Sequence, residues 1–94
     1  MDKVLSIIGL AYRANKIYLG EKCLEDFKRI KFLFIASDIS IKSKERYLKK
    51  CHYYDVKYFD EFSSEQLSKS IGKNNIKIIG IIDDGFKDLI LKNL

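Results

Sequence analysis

Two apolar runs constrain the fold of this chain more than any other feature of its sequence. The segments FLFIA (32–36) and IKIIGIID (76–83) are almost wholly apolar and rich in residues that favour strands. Continuous runs of this kind are typical of strands covered on both faces, because a strand with one wet face alternates apolar and polar residues. The sequence therefore predicts buried strands with helices packed against them.

The other segments alternate between helical periodicity and short extended runs. Helices are predicted from Asp2 to near Asn15, over 21–30, over 41–54, over 63–72 and onward from Asp83 or Asp84. Within these, Asp38 or Ser40 can cap the third helix, Ser63 with Gln66 or alternatively Ser64 suggests a capping box at the start of the fourth, and Asp84 suits an N-cap. Short strands are predicted at 16–19 and 56–59. This alternation predicts an α/β fold, a three-layer α/β/α sandwich with about four strands.

Composition narrows the class of protein. A chain of 94 residues with 47% apolar content, no proline and five glycines fits one compact domain spanning 1–94. Its net charge of +5 favours an acidic partner such as nucleic acid. Cys23 and Cys51 form no C-x-x-C motif, so we expect no metal site, no cofactor and a reducing compartment. No signal peptide or membrane span is evident, which predicts a cytoplasmic protein without a membrane partner.

The sequence contains no complete enzyme motif. The segment SIGKNN lacks the earlier glycine and the hydroxyl of a phosphate-binding loop, and its glycine ends a helix. His52 follows Cys51 directly, and adjacent helical residues point about 100° apart, so they cannot act as nucleophile and base unaided. The pair Asp83 and Asp84 is better explained as a helix cap than as an acid and base. We therefore predict a protein that is not an enzyme.

Gly20 stands between a predicted strand and a predicted helix. A glycine before a helix N-terminus lets a backbone or a phosphate approach closely, because it has no Cβ and the first helical N–H groups are unpaired. The same geometry suits an ordinary tight turn. Both interpretations remain open from this segment alone.

Several segments together resemble a known family. These are IGLAYRANKIYLGEKCL near the start, KFLFIASD in the middle and LSKSIGKNNIKIIGIIDDGF toward the end. In this order they resemble the bacterial YlxQ-like members of the ribosomal protein L-seven-Ae and L-thirty-e superfamily, over essentially the whole chain. The resemblance implies a three-layer α/β/α sandwich with a four-stranded mixed sheet. It also implies binding to structured RNA, usually a kink-turn, which is a sharply bent internal loop flanked by tandem sheared G·A pairs.

The resemblance assigns RNA contacts to two segments. The first is the glycine-led turn and the start of the second helix, and the second is the loop before the last strand. The implied RNA-binding residues are Gly20, Glu21, Lys22, Cys23, Asp26, Lys73, Asn74, Asn75, Ile76 and Lys77. The N–H groups of residues 21–23 can face a phosphate, and the Lys22 ammonium can bond either a guanine edge or a phosphate. The segment GKNNIK offers charges, amides and an apolar surface for an extruded base, or is a plain polar connection.

Two departures from the family pattern concern the second helix. Many kink-turn binders have an Asn-Glu pair at the positions of Lys22 and Cys23 and a lysine at the position of Asp26. If the helix is continuous, Asp26 lies one turn beyond Lys22 on the same face and can form an ion pair with it. Such a pair would hold the lysine away from RNA.

The main hypothesis is therefore a monomeric, non-enzymatic RNA-binding protein that recognises a bent RNA in the ribosome or in another noncoding RNA, beside ribosome components. The alternative is a protein-interaction module on the same scaffold that has lost RNA binding. Its partner surface would use the aromatic residues Tyr53, Tyr54, Tyr58, Phe59 and Phe62.

Overall fold

The computed structural model describes residues 2–94, and within them five helices and four strands follow one another in the predicted order. They are α1 (Lys3–Arg13), β1 (Ile17–Leu19), α2 (Lys22–Glu25), a 3₁₀ turn (Phe27–Arg29), β2 (Phe32–Ile35), α3 (Ile41–Tyr54), β3 (Lys57–Phe59), α4 (Ser64–Ile71), β4 (Ile78–Ile81) and α5 (Asp84–Asn93). None of the helices within residues 2–94 combines the length and apolar content that a bilayer crossing requires.

The four strands form one mixed sheet in the order β1-β4-β2-β3. The pairs β1–β4 and β2–β4 are antiparallel, whereas β2 and β3 are parallel. The two strands in the centre of the sheet, β2 and β4, are the two apolar runs of the sequence, and every residue in both is buried. The predicted α/β fold with a four-stranded mixed sheet is therefore confirmed.

Successive side chains of the central strands point into two separate cores. Phe32 and Phe34 pack among α1, α4 and α5, while Leu33 and Ile35 pack on the side of α2 and α3. On this second side, a Cβ at Gly80 would lie 2.5 Å from Ile30 Cδ1 and 3.0 Å from Cys23 Sγ. Glycine at this position therefore lets the α2 segment lie directly against the sheet.

Side-chain caps fix where four of the helices begin. Asp2 caps α1 by accepting the Val4 N–H at 2.7 Å, and Ser40 caps α3. Ser63 and Gln66 form the predicted capping box of α4. The cap of α5 is Asp83, which accepts the Phe86 N–H at 2.9 Å, so the assignment of this role to Asp84 is wrong by one residue.

The second helix is much shorter than predicted. After one turn of α2 the backbone leaves helical geometry at Asp26, where φ is −142° and ψ is 54°, and continues as the 3₁₀ turn. Residues 20–31 must leave β1, cover Gly80 and reach β2, and the tighter turn brings Phe27 and Ile30 into the core within that length. The predicted continuous helix over 21–30 is wrong. Lys22 and Asp26 therefore do not share one helical face, and no ion pair joins them among the described residues.

Both cysteines are buried as free thiols on the α3 side of the sheet. Burial raises the pKa of Cys23 from 9.0 to about 12 and the pKa of Cys51 to about 11. Both thiols are therefore neutral at physiological pH.

We expect the two thiols to react slowly with Ellman's reagent in the folded protein and rapidly once it is unfolded in guanidinium chloride, because the thiolate is the nucleophile. The unfolded thiols lose their protons as the pH rises through their ordinary pKa, but the folded ones keep theirs. The free energy of unfolding should therefore fall as the pH rises from 9 toward 11 and 12. Equal reaction rates in the folded and unfolded protein would contradict this account.

Candidate nucleic-acid interface

The glycine-led turn after β1 and the loop between α4 and β4 meet at one end of the sheet. The Gly20 N–H donates to the Ile78 carbonyl oxygen at 3.1 Å, directly after Lys77. The Ala36 N–H, at the end of β2, donates to the Lys77 carbonyl oxygen at 2.8 Å. Two segments that are far apart in the sequence are therefore hydrogen-bonded neighbours.

The turn leaves open space beside Gly20. Its φ is +52°, a left-handed value that favours glycine, and no atom of residues 2–94 lies within 4 Å of the position that a Cβ would occupy. In the described part of the chain, the N–H groups of Glu21 and Lys22 donate to no acceptor. The Cys23 N–H donates to the Gly20 carbonyl oxygen at 3.0 Å, so the prediction of a free N–H at Cys23 is wrong. Because α2 has only four residues, its dipole adds little to anion binding here.

Cys23 contributes packing to the site rather than a contact with a ligand. Its side chain is buried beneath the turn, and its Sγ lies 3.5 Å from the Tyr18 carbonyl oxygen. The thiol therefore has no exposed surface to offer to a partner.

Two cations lie over the ring of Tyr18. Lys22 Nζ is 5.3 Å and Arg29 Cζ is 5.8 Å from the ring centroid, both within the range of a cation–π interaction. Arg29 Nη1 also donates to Tyr18 Oη at 3.0 Å. Among residues 2–94, neither cation has a carboxylate within ion-pair distance. We call these three residues the Tyr18 cluster, which holds two exposed positive charges in place beside Gly20.

Glu21 is paired with a cation from α3. Arg46 Nη2 lies 3.2 Å from Glu21 Oε2, and both side chains are largely exposed. An exposed pair of this kind contributes only about 0.2 to 1 kcal/mol to stability. Its more important effect is on the local charge. It offsets the negative charge that Glu21 would otherwise place next to Lys22.

Asp26 lies apart from the other predicted residues of the turn. It borders a cleft of about 330 Å³ between the α2 segment and α3, together with Lys28, Lys50 and Tyr54. The break after α2 turns it toward α3, whereas Lys22 remains over Tyr18. The predicted pairing of Asp26 with Lys22 therefore does not form.

The loop between α4 and β4 has a defined shape. Gly72 and Asn75 adopt left-handed φ values of 68° and 56°, and the Ile76 N–H donates to Ser68 Oγ at 2.9 Å. Ser68 is itself buried, so it anchors the loop from beneath. Lys73, Asn74, Asn75 and Lys77 are exposed, whereas Ile76 is half-buried against the core. The amides and charges of the loop therefore face outward, and Ile76 presents only part of its side chain.

A polar groove adjoins this loop. It has a volume of about 540 Å³, and its lining residues are Ser64, Glu65, Ser68, Lys69, Lys73, Asn74 and Asn75. Lys73 leans toward α1, with its Nζ 5.9 Å from the centroid of Tyr12. The loop thus borders a recess with two cations and several hydrogen-bonding groups.

The β2–α3 connection is also tied to this end of the molecule. Asp38 accepts hydrogen bonds from the N–H and the hydroxyl of Ser64 at 2.8 and 2.6 Å. The Ser64 hydroxyl, and to a smaller degree nearby Lys77, hold the pKa of Asp38 below its usual value. Tyr18, Arg29, Arg46 and the Asp38–Ser64 link were not predicted from the sequence, because each depends on a contact between residues distant in the chain.

Comparisons with known proteins give the fold and the family. No protein-family model matches the chain. It superposes on a Bacillus halodurans protein of unknown function with a TM-score of 0.88 and 29% identity, covering 98% of this chain and 96% of that one. It also superposes on the Giardia lamblia 15.5kD RNA binding protein with a TM-score of 0.82 and 17% identity, covering 95% and 79% of the two chains. The chain therefore shares the fold of these two proteins.

Two curated relatives carry the same name. The chain is 38% identical over 88 residues to the RNA-binding protein YlxQ of Enterococcus faecium, a match that covers 90% of this chain and 84% of the relative. It is 31% identical over 91 residues to the RNA-binding protein YlxQ of Bacillus subtilis, covering 94% and 91%. The chain belongs to the YlxQ family.

Proposed function

We propose that this chain is an RNA-binding protein that recognises a bent, structured RNA of the kink-turn type, in the ribosome or in another noncoding RNA, without catalysing a reaction. Both named relatives are RNA-binding proteins. The proposed contact surface consists of Gly20, Glu21 and Lys22 of the turn, the rest of the Tyr18 cluster, and the loop from Lys73 to Lys77.

The single observation that carries this proposal is the hydrogen bond between the Gly20 N–H and the Ile78 carbonyl oxygen. It brings the turn and the loop side by side, so one RNA can touch both. A straight duplex would present a single regular face to this edge. A bent internal loop presents a phosphate backbone and an unstacked base at neighbouring positions, which suits cations at the turn and exposed amides at the loop.

The chemistry of each segment fits its proposed role. Lys22 and Arg29 have no carboxylate partner within residues 2–94 and can bind phosphate oxygens, and a guanidinium can do so through two parallel hydrogen bonds. Asn74 and Asn75 each offer a donor and an acceptor for a base edge. The open space beside Gly20 allows an RNA backbone to approach the N–H groups of Glu21 and Lys22.

The test compares a hairpin that contains a bent internal loop with tandem sheared G·A pairs and a straight duplex of the same length and composition. We expect the bent hairpin to bind at least about tenfold more tightly, which corresponds to about 1.4 kcal/mol. The ratio should persist as salt is raised, because phosphate contacts common to both RNAs weaken together. Dissociation constants at three salt concentrations measure it.

Two other outcomes would overturn parts of the proposal. Equal affinity for the two RNAs would reject shape recognition and leave only electrostatic RNA binding. An absence of binding to either RNA would instead favour the alternative, a protein-interaction module that has lost its RNA contacts.

A further inference from the structure

The outer face of α3 carries rings and cations that the proposed contact surface does not use. Tyr53 is 79% exposed, and Tyr54 and Tyr58 are also exposed. Phe62 is buried and Phe59 half-buried, so only three of the five aromatic residues considered for a partner surface are accessible. Tyr53 borders a shallow, largely apolar groove of about 600 Å³, whose other lining residues are Glu45, Leu48, Lys49 and His52.

The same helix is strongly basic. Its fourteen residues include five lysines or arginines and a single acidic residue, Glu45. Lys44 is paired with Asp60 at 2.7 Å and Arg46 with Glu21, but Lys42, Lys49 and Lys50 have no carboxylate partner within residues 2–94. Lys42 and Lys49 are seven residues apart and so lie on one face of the helix, with a rise between them of about 10 Å.

The rings are held in a fixed arrangement. Tyr54 stacks on the buried Phe27 with a centroid distance of 5.6 Å, and Tyr53 meets Tyr54 edge-on at 4.9 Å. Lys50 Nζ lies 6.0 Å from the centroid of Tyr54. Because Tyr54 is fixed by a core residue, Tyr53 has a rigid neighbour on one side and open solvent on the other. This is the arrangement of a stacking platform flanked by cations.

We propose that the outer face of α3 is a second RNA-contacting surface, which binds an unpaired segment adjoining the bent RNA by stacking a base on Tyr53 and holding phosphates with Lys42, Lys49 and Lys50. The inference rests on the proposed RNA-binding function but uses different residues. Arg46, whose partner Glu21 belongs to the proposed contact surface, lies seven residues before Tyr53 on α3, a rise of about 10 Å. A strand that leaves that surface can therefore follow α3 directly.

Unpaired RNA fits this face better than other acidic partners do. Its bases have exposed π-faces that stack on aromatic side chains, and its phosphates recur at every nucleotide. In a duplex the bases are stacked inside and cannot reach Tyr53. An acidic protein segment could pair with the three lysines. However, it does not present a flat ring at every residue that could stack on Tyr53, as RNA does at every nucleotide. The charge pattern and the ring together thus favour a single strand.

The experiment measures binding of the full chain to the bent hairpin with blunt ends and to the same hairpin with an unpaired extension of about six nucleotides at either end. We expect the extension to tighten binding at least about fivefold, as one stacked base and its phosphates require. Tyr53→Ala and Lys49→Gln should each remove most of this gain while leaving the affinity for the blunt hairpin unchanged. Tyr53→Phe, which keeps the ring, should retain the gain.

Lys92→Gln on α5 is the matched control for Lys49→Gln, because it removes one exposed charge from the other helical layer. A gain that survives Tyr53→Ala, or an extension that adds nothing, would overturn the second surface while leaving the proposed function standing. Loss of binding to both hairpins would overturn both. If a glutamate-rich peptide shifts the amide resonances of α3 and the extension does not, the face serves a protein partner instead.

Discussion

Replacing Gly9 by alanine should destabilise the protein, although alanine is the better helix former. Gly9 is buried within α1, and a Cβ there would lie 2.7 Å from the Ser70 carbonyl oxygen in α4. Alanine gains about 1 kcal/mol from helix propensity, but overpacking a rigid backbone contact costs typically about 1 to 3 kcal/mol. Because a backbone oxygen cannot rotate aside and the two helices must separate, we expect a cost at the upper end of this range, about 3 kcal/mol, and therefore a net loss of about 2 kcal/mol.

Gly85→Ala provides the matched control in another helix. Within residues 2–94, a Cβ at Gly85 would meet only the Asp83 side chain, with Oδ2 at 3.1 Å, and that carboxylate can shift slightly. Its effect on the free energy of unfolding should stay below about 1 kcal/mol in either direction. Urea unfolding of both variants measures these changes in the free energy of unfolding. A Gly9→Ala protein as stable as the wild type would show that α1 and α4 do not pack this closely.

Much of the fold could be predicted from the sequence because its strongest patterns are local. The two apolar runs identified the central strands, and the Ser63–Gln66 capping box fixed the start of α4. The prediction of the second helix was wrong because its length is set by contacts with distant residues. Its periodicity is compatible with ten helical residues, but the close approach of Cys23 and Ile30 to Gly80 and the short crossover to β2 impose a break at Asp26.

The candidate site could likewise be predicted only in part from the sequence. The resemblance indicated which turn and loop to consider, and Gly20 and Lys22 were visible as a turn glycine and a lysine that follows it. That the turn and the loop are joined by a hydrogen bond depends on the antiparallel pairing of β1 with β4, which no local pattern encodes. Arg29 was not predicted to share a ring with Lys22, because an intact helix would have placed it two turns, about 10 Å, further along the same face, whereas the break at Asp26 brings both cations over Tyr18.

The Tyr18 cluster should supply the largest share of RNA affinity. We expect the double variant Lys22→Gln with Arg29→Gln to bind the bent hairpin more weakly by about 3 kcal/mol, roughly a hundredfold, because hydrogen bonds to charged groups contribute about 1.5 to 3 kcal/mol each. The slope of log affinity against log salt should fall by about two phosphate equivalents. Both side chains are exposed, so the free energy of unfolding should change little.

A control with the same loss of charge separates a specific contact from general attraction. Lys3→Gln with Lys92→Gln removes two exposed cations from α1 and α5, and it should weaken binding far less than the cluster variant does.

Tyr18→Phe tests whether the position of Arg29 matters, because it keeps the ring beneath both cations but removes the oxygen that holds Arg29 at 3.0 Å. It should cause a smaller loss than the double variant if a pre-positioned guanidinium matters. Equal losses in the cluster and control variants would mean that the cluster adds only net charge, and the contact surface would then have to be sought elsewhere.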